Sequence, residues 1–573
     1  MKRRANLDFI HGLWKITRGY WVSEEKWKAK LLLGIIVSLN LGHVYILVLL
    51  NEWNNTFYNT LQNYDKDGFV SALGTFSILA TCFIIVAVYE LYLQQLLEIK
   101  WRRWLTQQYL QNWLQKRSYY QMQLLLDNST DNPDQRISED VRSFVNLALR
   151  LSLGLLKASV TLCSFIVILW NLSGSFTIPL GVNGISIPGY MVWVAIIYAA
   201  VGTWLTTKIG HPLVGLNFSQ QRYEADFRFS LIRLRENSES IALYSGEKQE
   251  QNNLLQRFHM VVTNFRQLML RQKKLTWFTS GYGQIAIIFP LIVAAPRYFS
   301  KEIPLGGLIQ TSSAFGRVQD ALSFFVESYS LFAEWQAVIQ RLIGFDNSMN
   351  RSKSISENVA IQVTHSNRPS VDVFQLSINL PNGELLLRNL DLTINPGDSL
   401  LIIGPSGCGK STLIRTLAGI WPFGQGSITI PEGQSLLFLP QKSYLPLGTL
   451  RDCLLYPYNI GFATDDDIRI VMELCKLNEL VDKLDNIEDW SHIFSLGEQQ
   501  KIAFARAILQ APNWLFLDEA TSAIDEETET ELYQLVGSLK NTTIISVGHR
   551  STLINYHKRK LIIDSAGNWH LDS

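Results

Sequence analysis

The chain has 573 residues, with 51 basic and 50 acidic side chains, so its formal net charge is +1. This balance argues against a nucleic-acid partner, because nucleic acids are attracted by a surplus of basic groups. Charged residues make up 18% and hydrophobic residues 47% of the chain, whereas soluble domains carry about 25% charged residues. The composition excludes a disordered chain and predicts a membrane component.

The cysteines and the N-terminus exclude two further classes. The five cysteines show no CxxC spacing and are odd in number, which argues against a disulfide framework or a zinc site. The basic start of the chain is followed by more charged residues up to Lys30, without an intervening apolar stretch. We therefore expect no removable signal peptide.

Five stretches free of formal charge are long enough to cross a membrane. They are 31–50, 69–89, 158–187, 188–207 and 275–296. A helix of about 20 apolar residues crosses the ~30 Å hydrocarbon layer. Each stretch alone could be a buried helix of a soluble protein, but five together predict a multi-pass membrane domain.

A sixth predicted span, 306–336, is apolar but contains Arg317, Asp320, Glu327 and Glu334. The three acidic residues are spaced seven apart, so they lie on one face of a helix. Charges inside a span usually face a cavity or a partner, which makes Arg317, Asp320 and Glu327 candidates for lining a transport cavity. Simple pairing of Arg317 with Asp320 is the alternative.

The flanks of the spans predict the topology and the domain boundaries. Basic residues cluster before the first span, after the second and before the fifth, and positive residues stay mostly on the cytosolic side. Both termini are therefore expected in the cytosol, with the long inner connections forming helical hairpins. We expect a transmembrane domain at 1–345, a Ser- and Asn-rich linker at 346–370, and an α/β domain at 371–573.

The segment 404–412 fits the phosphate-binding pattern G-x-x-x-x-G-K-[ST] and lies between an apolar strand pattern and a helical one. In such a loop, backbone N–H groups wrap the phosphates, the lysine reaches the β- and γ-phosphates, and the hydroxyl residue binds Mg²⁺. We expect Lys410 and Ser411 in these last two roles. The candidate nucleotide-binding residues of the loop are Gly404, Pro405, Ser406, Gly407, Cys408, Gly409, Lys410, Ser411 and Thr412.

Three more apolar strand patterns end in polar side chains suited to the same chemistry. One runs into Asp518 and Glu519; an aspartate there can hold Mg²⁺, and the adjacent glutamate can polarise the attacking water. Another precedes His549, where a γ-phosphate sensor would lie, and a third precedes Gln441, a further catalytic and metal candidate. Each residue alone would most often be structural, but strand ends of an open α/β sheet converge on one ligand.

The segment 494–500 reads Phe-Ser-Leu-Gly-Glu-Gln-Gln and resembles the ABC-transporter signature L-S-G-G-Q. Ser495 and Gly497 match the family, whereas Leu496 replaces a glycine and Glu498 replaces the glutamine. With the strand-end residues above, the order and spacing resemble an ABC ATPase domain. The resemblance implies that Ser495, Gly497 and Glu498 contact nucleotide.

Three segments of the first half indicate which subgroups of the family the chain resembles. Residues 132–140 and 237–250 resemble motifs of the peroxisomal acyl-CoA transporter group, subfamily D. Residues 50–62 resemble the BacA/SbmA-related branch, which takes up peptides and, in some members, cobalamin. Each segment alone could be ordinary helix surface.

Together these resemblances imply a six-span helical membrane domain of exporter-type ABC architecture fused to an α/β P-loop ABC ATPase domain. The chain is expected to pair with a second copy in a bacterial inner membrane, to bind ATP and Mg²⁺, and to couple ATP hydrolysis to the movement of a small-molecule or peptide cargo across the lipid bilayer. Each site would use the signature of the partner chain. Residues 132–140 and 237–250 are candidate transmission points.

Three function classes stay open. The first is uptake of hydrophilic or amphipathic solutes such as peptides or cobalamin, favoured by the branch resemblance. The second is export of lipids, fatty acyl compounds or drugs by the same machinery. The third is a non-transport regulator or degenerate ATPase, suggested only by Leu496 and Glu498, against which the intact Lys410, Asp518 and Glu519 argue.

Overall fold

The computed structural model describes residues 2–125, 132–178, 185–357, 360–458 and 461–572. Within these ranges, side chains are not described at 2–8, 125, 175–178, 185–186, 325–327, 329–330 and 355–357. The chain forms two compact units. One comprises residues 1–111 and 131–346, and the other comprises residues 112–130 and 347–573.

The first half of the chain is almost entirely helical because its long apolar stretches contain few Pro or Gly residues. Its helices are α1 Lys2–Val22, α2 Lys26–Gln62, α3 Lys66–Leu114, α4 Ser118–Leu125, α5 Pro133–Gln135, α6 Val141–Ser173, α7 Tyr190–Glu236, α8 Ser238–Leu243, α9 Glu247–Phe299 and α10 Leu305–Glu357. Short 3₁₀ and π segments cover Gln115–Arg117 and Arg136–Asp140. Strands β1 Ser175–Ile178 and β2 Ile185–Pro188 pair antiparallel.

The six long helices span 33 to 53 residues, whereas about 20 suffice to cross a bilayer. Their extra turns extend beyond the apolar stretches, so the described parts of the connections between α3 and α6 and between α7 and α9 are largely helical, as the sequence predicts. In the described part of the chain, five helices are long and apolar enough to cross a membrane. The sixth predicted span lies within α10, which is not among these five helices. It differs from their apolar stretches because it contains Arg317, Asp320 and Glu327.

The first unit, residues 1–111 and 131–346, is called the membrane unit below. An apolar core holds it together where α2, α6, α7 and α10 meet. Phe165 and Leu169 of α6, Met191 of α7, and Phe315 and Val318 of α10 are fully buried in it. One face of α10 therefore packs in the core, even though the helix also carries charged residues.

The second unit is an α/β domain. Its strands are β3 Ile361–Ser366, β4 Val371–Asn379, β5 Leu385–Ile394, β6 Ser399–Ile403, β7 Gly424–Pro431, β8 Leu436–Leu439, β9 Gly448–Thr449, β10 Ile487–Glu488, β11 Trp514–Asp518, β12 Thr543–Val547, β13 Arg559–Ile563 and β14 Trp569–Asp572. Its helices are α11 Lys410–Leu417, α12 Leu450–Leu455, α13 Asp465–Leu474, α14 Trp490–Ile493, α15 Leu496–Gln510 and α16 Glu526–Gly537, with 3₁₀ turns at Asn478–Lys483 and Ser551–Tyr556.

A six-stranded sheet of order β14-β13-β6-β12-β11-β8 forms the centre of this domain, beside a four-stranded sheet of order β3-β7-β4-β5. Strands β13, β6, β12, β11 and β8 are parallel. They read as continuous apolar runs because helices cover both faces of a parallel sheet. Since β6, β12, β11 and β8 are neighbours, the residues after their carboxyl ends lie along one edge, as the sequence predicts.

The connection between α3 and α6 contributes a segment to the second unit that the sequence did not single out. Residues 112–130 belong to that unit. Arg117 donates from Nη1 to the carbonyl of Ala418 at 3.0 Å, and Leu124 packs against the core of the α/β domain. The transmission points predicted at 132–140 and 237–250 are different segments and stay predictions.

Candidate functional site

The phosphate-binding loop joins β6 to α11 and needs glycine for two reasons. Gly409 has φ +100°, a left-handed conformation that L side chains rarely adopt. A Cβ on Gly404 would lie 2.3 Å from the carbonyl oxygen of Ile563. Lys410, only 5% exposed, donates from Nζ to the carbonyls of Gly404 and Pro405 at 3.0 and 2.8 Å, which fixes its ammonium group inside the loop.

Asp518, at the end of β11, lies beside this loop. The hydroxyl of Ser411 donates to its Oδ1 at 2.8 Å, so two of the three predicted metal ligands are in direct contact. Burial raises the pKa of Asp518, and the bond from Ser411 opposes that rise. A divalent cation would relieve the same desolvation cost, because it offers the carboxylate a positive partner.

Glu519, the next residue, is the point where two other strand ends meet. Gln441 donates from Nε2 to Glu519 Oε2 at 2.9 Å, and His549 Nε2 lies 3.5 Å from Oε1. Glu519 has φ +49°, an uncommon conformation for a residue other than glycine, and one found at functional sites. The structure thus brings the three predicted catalytic residues together around one carboxylate.

The signature segment begins α15, with Ser495 as the residue that caps the helix. The hydroxyl of Ser495 accepts a hydrogen bond from the backbone N–H of Glu498 and donates to Oε2 of that residue. A Cβ on Gly497 would lie 2.9 Å from the carbonyl oxygen of Ala523. The described contacts of the Ser495 hydroxyl are therefore within its own segment.

Gln500 is a site residue that sequence reasoning missed. It is 3% exposed and donates from Nε2 to the carbonyl of Gln441 and to the hydroxyl of Ser522, both at 3.1 Å. Its Oε1 accepts from the backbone N–H of Ala523 at 2.9 Å. One buried amide thus links the signature helix to two other loops of the site. Its position two residues after the signature positions 494–498 is the feature of the sequence that could have identified it.

The cavity residues predicted on α10 divide into two groups. Arg317 and Asp320 line a cavity of about 260 Å³ in the membrane unit. Lys157 and Thr161 of α6 line it as well. Glu327 is outside the residues whose side chains the structure describes.

A polar cluster beside this cavity was also missed. Asn40 and His43 of α2 are buried and contact the carboxylate of Glu90 of α3, each at 3.0 Å. The ammonium group of Lys157 lies 3.4 Å from both ring nitrogens of His43. Ionisable residues inside a membrane domain are expensive and mark functional sites, so this cluster extends the polar wall of the cavity.

Two family models match the chain. The model described as ABC transporter transmembrane region 2 matches residues 16–299, and the one described as ABC transporter matches residues 387–522. An ABC transporter ATP-binding protein of Haemophilus influenzae is 40% identical over 560 residues, 97% of this chain and 93% of that protein. The chain belongs to the ABC transporter family.

Other relatives of this ABC transporter extend the comparison. The inner membrane ABC transporter ATP-binding protein YddA of Escherichia coli is 34% identical, with 94% of this chain and 95% of that protein covered. The human lysosomal cobalamin transporter ABCD4 is 27% identical, with 99% and 97% covered. A solved structure of a bacterial Atm1-family ABC exporter with ATP bound has a TM-score of 0.72 at 17% identity, covering 95% of each chain.

These similarities confirm the predicted fold class, a helical membrane domain of exporter-type architecture fused to an ABC ATPase domain. They also confirm the resemblance to ABC transporters with fused domains, whose relatives include members of subfamily D. This ABC transporter hydrolyses ATP to drive transport across a membrane.

Replacement of Lys157 by methionine is expected to destabilise this ABC transporter by about 2 kcal/mol. The change removes the ammonium group that contacts His43, the partner of Glu90, so the carboxylate loses a favourable Coulombic interaction in a low-dielectric setting. The midpoint of thermal unfolding in lipid nanodiscs measures the loss. Adding Glu90→Gln to Lys157→Met should recover part of it, because the charge balance is restored. If the double variant lost as much stability as the two single variants together, the electrostatic interaction between Lys157 and Glu90 would be contradicted.

Proposed function

We propose that this ABC transporter is a homodimer that takes up hydrophilic or amphipathic solutes, such as peptides or cobalamin. The observation that carries the proposal is the polar wall of the membrane cavity, where Lys157, Arg317, Asp320 and Thr161 lie together. An apolar cargo would desolvate these groups without offering them hydrogen bonds, whereas a polar cargo can hydrogen-bond with them. The cobalamin transported by ABCD4, as that relative's name states, belongs to this polar class.

The nucleotide chemistry is proposed to divide among the site residues as follows. Lys410 binds the β- and γ-phosphates together with the N–H groups of the loop 404–412. Ser411, Gln441 and Asp518 would hold Mg²⁺, whose positive charge would stabilise the transferred phosphoryl group. The contact of Ser411 with Asp518 supports this assignment, because it brings together two oxygen ligands of the kind that Mg²⁺ prefers.

Glu519 is proposed to polarise the attacking water and His549 to sense the γ-phosphate. Their proximity, and the contact of Gln441 with Glu519, support a shared role at the reacting phosphate. The second half of each site comes from Ser495, Gly497 and Glu498 of the other chain. In this protomer the described hydrogen bonds of the signature hydroxyl lie within its own segment.

Closure of two ATPase domains on ATP would then move the inner helical hairpins and open the cavity to the other side of the membrane. The segments 132–140 and 237–250 are proposed transmission points. The second of these exposes Leu243 and Tyr244, which are 80% and 87% exposed in the protomer. Large apolar side chains at a hairpin tip are suited to burial against a partner. ATP shifts the population because it binds the closed state better.

We place the protein in a bacterial inner membrane, with both termini and the ATPase domain in the cytoplasm. The basic flanks of the spans support this orientation, and the similarity to YddA, an inner membrane ABC transporter protein by name, supports the choice of membrane. The proposed domains are residues 1–345 for the membrane domain, 346–370 for the linker and 371–573 for the ATPase domain.

Transport in proteoliposomes tests the proposal. Vesicles are preloaded with labelled cobalamin or a labelled peptide, Mg-ATP is added outside, and only transporters with outward-facing ATPase domains are energised. ATP-dependent loss of label from the lumen, abolished by Glu519→Gln, is expected for uptake. Retention of the label, with ATP-dependent filling when the same cargo is offered outside, would contradict the direction proposed here.

A second candidate is export of lipids, fatty acyl compounds or drugs. The remaining lining of the cavity favours it, because Leu47, Ala158 and Phe324 provide an apolar surface next to the charged groups. In the same vesicles, ATP-dependent filling with a labelled acyl compound, together with no movement of cobalamin or peptide, would favour this candidate.

A further inference from the structure

The signature serine of this transporter has a competing partner inside its own segment. The hydroxyl of Ser495 lies 2.7 Å from Oε2 of Glu498, and the backbone N–H of Ser495 donates to the same oxygen at 2.9 Å. The backbone N–H of Glu498 donates back to the hydroxyl oxygen at 3.3 Å. A serine hydroxyl has one hydrogen to donate, and here the carboxylate of Glu498 accepts it.

Glutamate and glutamine are equally able to complete this reciprocal cap, because either side chain presents an oxygen that accepts from the capping residue. The local structure of α15 therefore does not require the negative charge of Glu498. The charge distinguishes the two residues when a triphosphate approaches, since a polyanion is repelled by a carboxylate and would be attracted by the free hydroxyl and the N–H groups of a helix N-terminus.

Glu498 cannot easily move away. Two donors of Ser495 hold its oxygen, and the side chain is half-buried rather than extended into solvent. Gly497, the residue before it, lies against the backbone of Ala523, so the segment has little room to shift. ATP bound to one chain must therefore displace this carboxylate before the Ser495 hydroxyl of the other chain can donate to its γ-phosphate.

We propose that Glu498 limits the affinity of the composite site for ATP, by occupying the Ser495 hydroxyl and by placing a negative charge beside the incoming γ-phosphate. This inference rests on the proposed homodimer, in which the signature of one chain completes the site of the other. Glu498 thereby sets the ATP concentration at which the two ATPase domains close.

Steady-state hydrolysis by the full chain in lipid nanodiscs tests the inference, with Mg-ATP titrated at low salt and phosphate release measured. Glu498→Gln keeps the cap and removes the charge, so KM for ATP is expected to fall by about tenfold. The difference in KM should narrow as salt is raised, because ions screen the repulsion. Glu473→Gln, the same charge change at an exposed position on α13, controls for net charge and should leave KM unaltered.

Two further variants separate the inference from the proposal on which it rests. Ser495→Ala is expected to raise KM, because the signature hydroxyl is lost. Glu498→Ala removes both the charge and the acceptor of the Ser495 hydroxyl, so it should lower KM at least as far as Glu498→Gln. A raised KM in Ser495→Ala with an unaltered or raised KM in Glu498→Gln would overturn the role of Glu498 alone. An unaltered KM in Ser495→Ala would overturn the composite site, and the inference with it.

Discussion

Glu519→Gln is expected to lower the rate of ATP hydrolysis by at least about a hundredfold while nucleotide still binds. General-base catalysis typically contributes 10²–10⁴-fold, roughly, and an amide cannot accept the proton of the attacking water. The geometry supports a reactive role, since Gln441 donates to one carboxylate oxygen and His549 Nε2 lies 3.5 Å from the other. Phosphate release by the full chain in nanodiscs measures the rate, and a fluorescent ATP analogue measures binding.

A matched control for this variant is Glu527→Gln, which makes the same charge change at an exposed position on α16. It should hydrolyse ATP at the wild-type rate. His549→Ala is expected to lower the rate as well, because a γ-phosphate sensor would be lost. If Glu519→Gln hydrolysed ATP as fast as wild type, the proposed assignment of Glu519 would be wrong, and another group would have to polarise the water.

The nucleotide site was predictable because its chemistry is encoded in short local patterns. The pattern in 404–412 fixes a strand, a glycine turn and a helix within a few residues. The apolar strands before Gln441, Asp518 and His549 indicate a parallel sheet, whose carboxyl ends lie at one edge whatever the details of packing. The proximity of Gln441, Asp518 and His549 therefore follows from secondary structure and sheet order alone.

The membrane cluster was not predictable in the same way. Asn40, His43, Glu90 and Lys157 come from three different helices, and which faces of those helices meet depends on how the helices pack. A charge-free stretch indicates that a helix crosses the membrane, but its hydropathy does not say which polar residue faces which neighbour. Glu90 directly follows the charge-free stretch 69–89, and Lys157 directly precedes the stretch 158–187. A search for charge-free stretches therefore leaves both residues out.

The role of Gln500 was hidden for another reason. Glu498 is visible in the sequence because it departs from the family signature. Gln500 lies two residues after the signature positions 494–498, where a glutamine is typical of helix surface. Its burial depends on two loops that approach α15 from distant parts of the chain. Sequence patterns locate the residues that bind a ligand more readily than the residues that hold those residues in place.

A second large effect is expected at Asp140, the last residue of the segment 132–140. Its side chain is 3% exposed and joins two helices of the membrane unit. Arg136 Nη1 lies 2.5 Å from Oδ2, and Arg341 of α10 donates from Nε and Nη2 to the two oxygens at 2.9 and 2.6 Å. This bidentate geometry is the strong form of a charge-assisted pair.

Asp140→Asn should destabilise the membrane unit by about 2 kcal/mol, because it removes the charge that both guanidinium groups share. Removing one partner of a fully buried pair costs about 3–5 kcal/mol, and the loss is smaller here because Arg341 is 42% exposed and can be solvated. The midpoint of thermal unfolding in nanodiscs is expected to fall by several degrees. Glu139→Gln, an exposed neighbour with the same charge change, is the matched control and should unfold within about 1 °C of wild type.

The same variant tests whether 132–140 transmits motion. If Asp140 only stabilises the fold, hydrolysis and cargo movement should decline together as less protein is folded. If it links α10 to the inner connection during the cycle, Asp140→Asn should hydrolyse ATP at a rate that cargo no longer stimulates. An Asp140→Asn protein with wild-type unfolding and wild-type stimulation by cargo would show that the Arg136–Asp140–Arg341 contact has neither role.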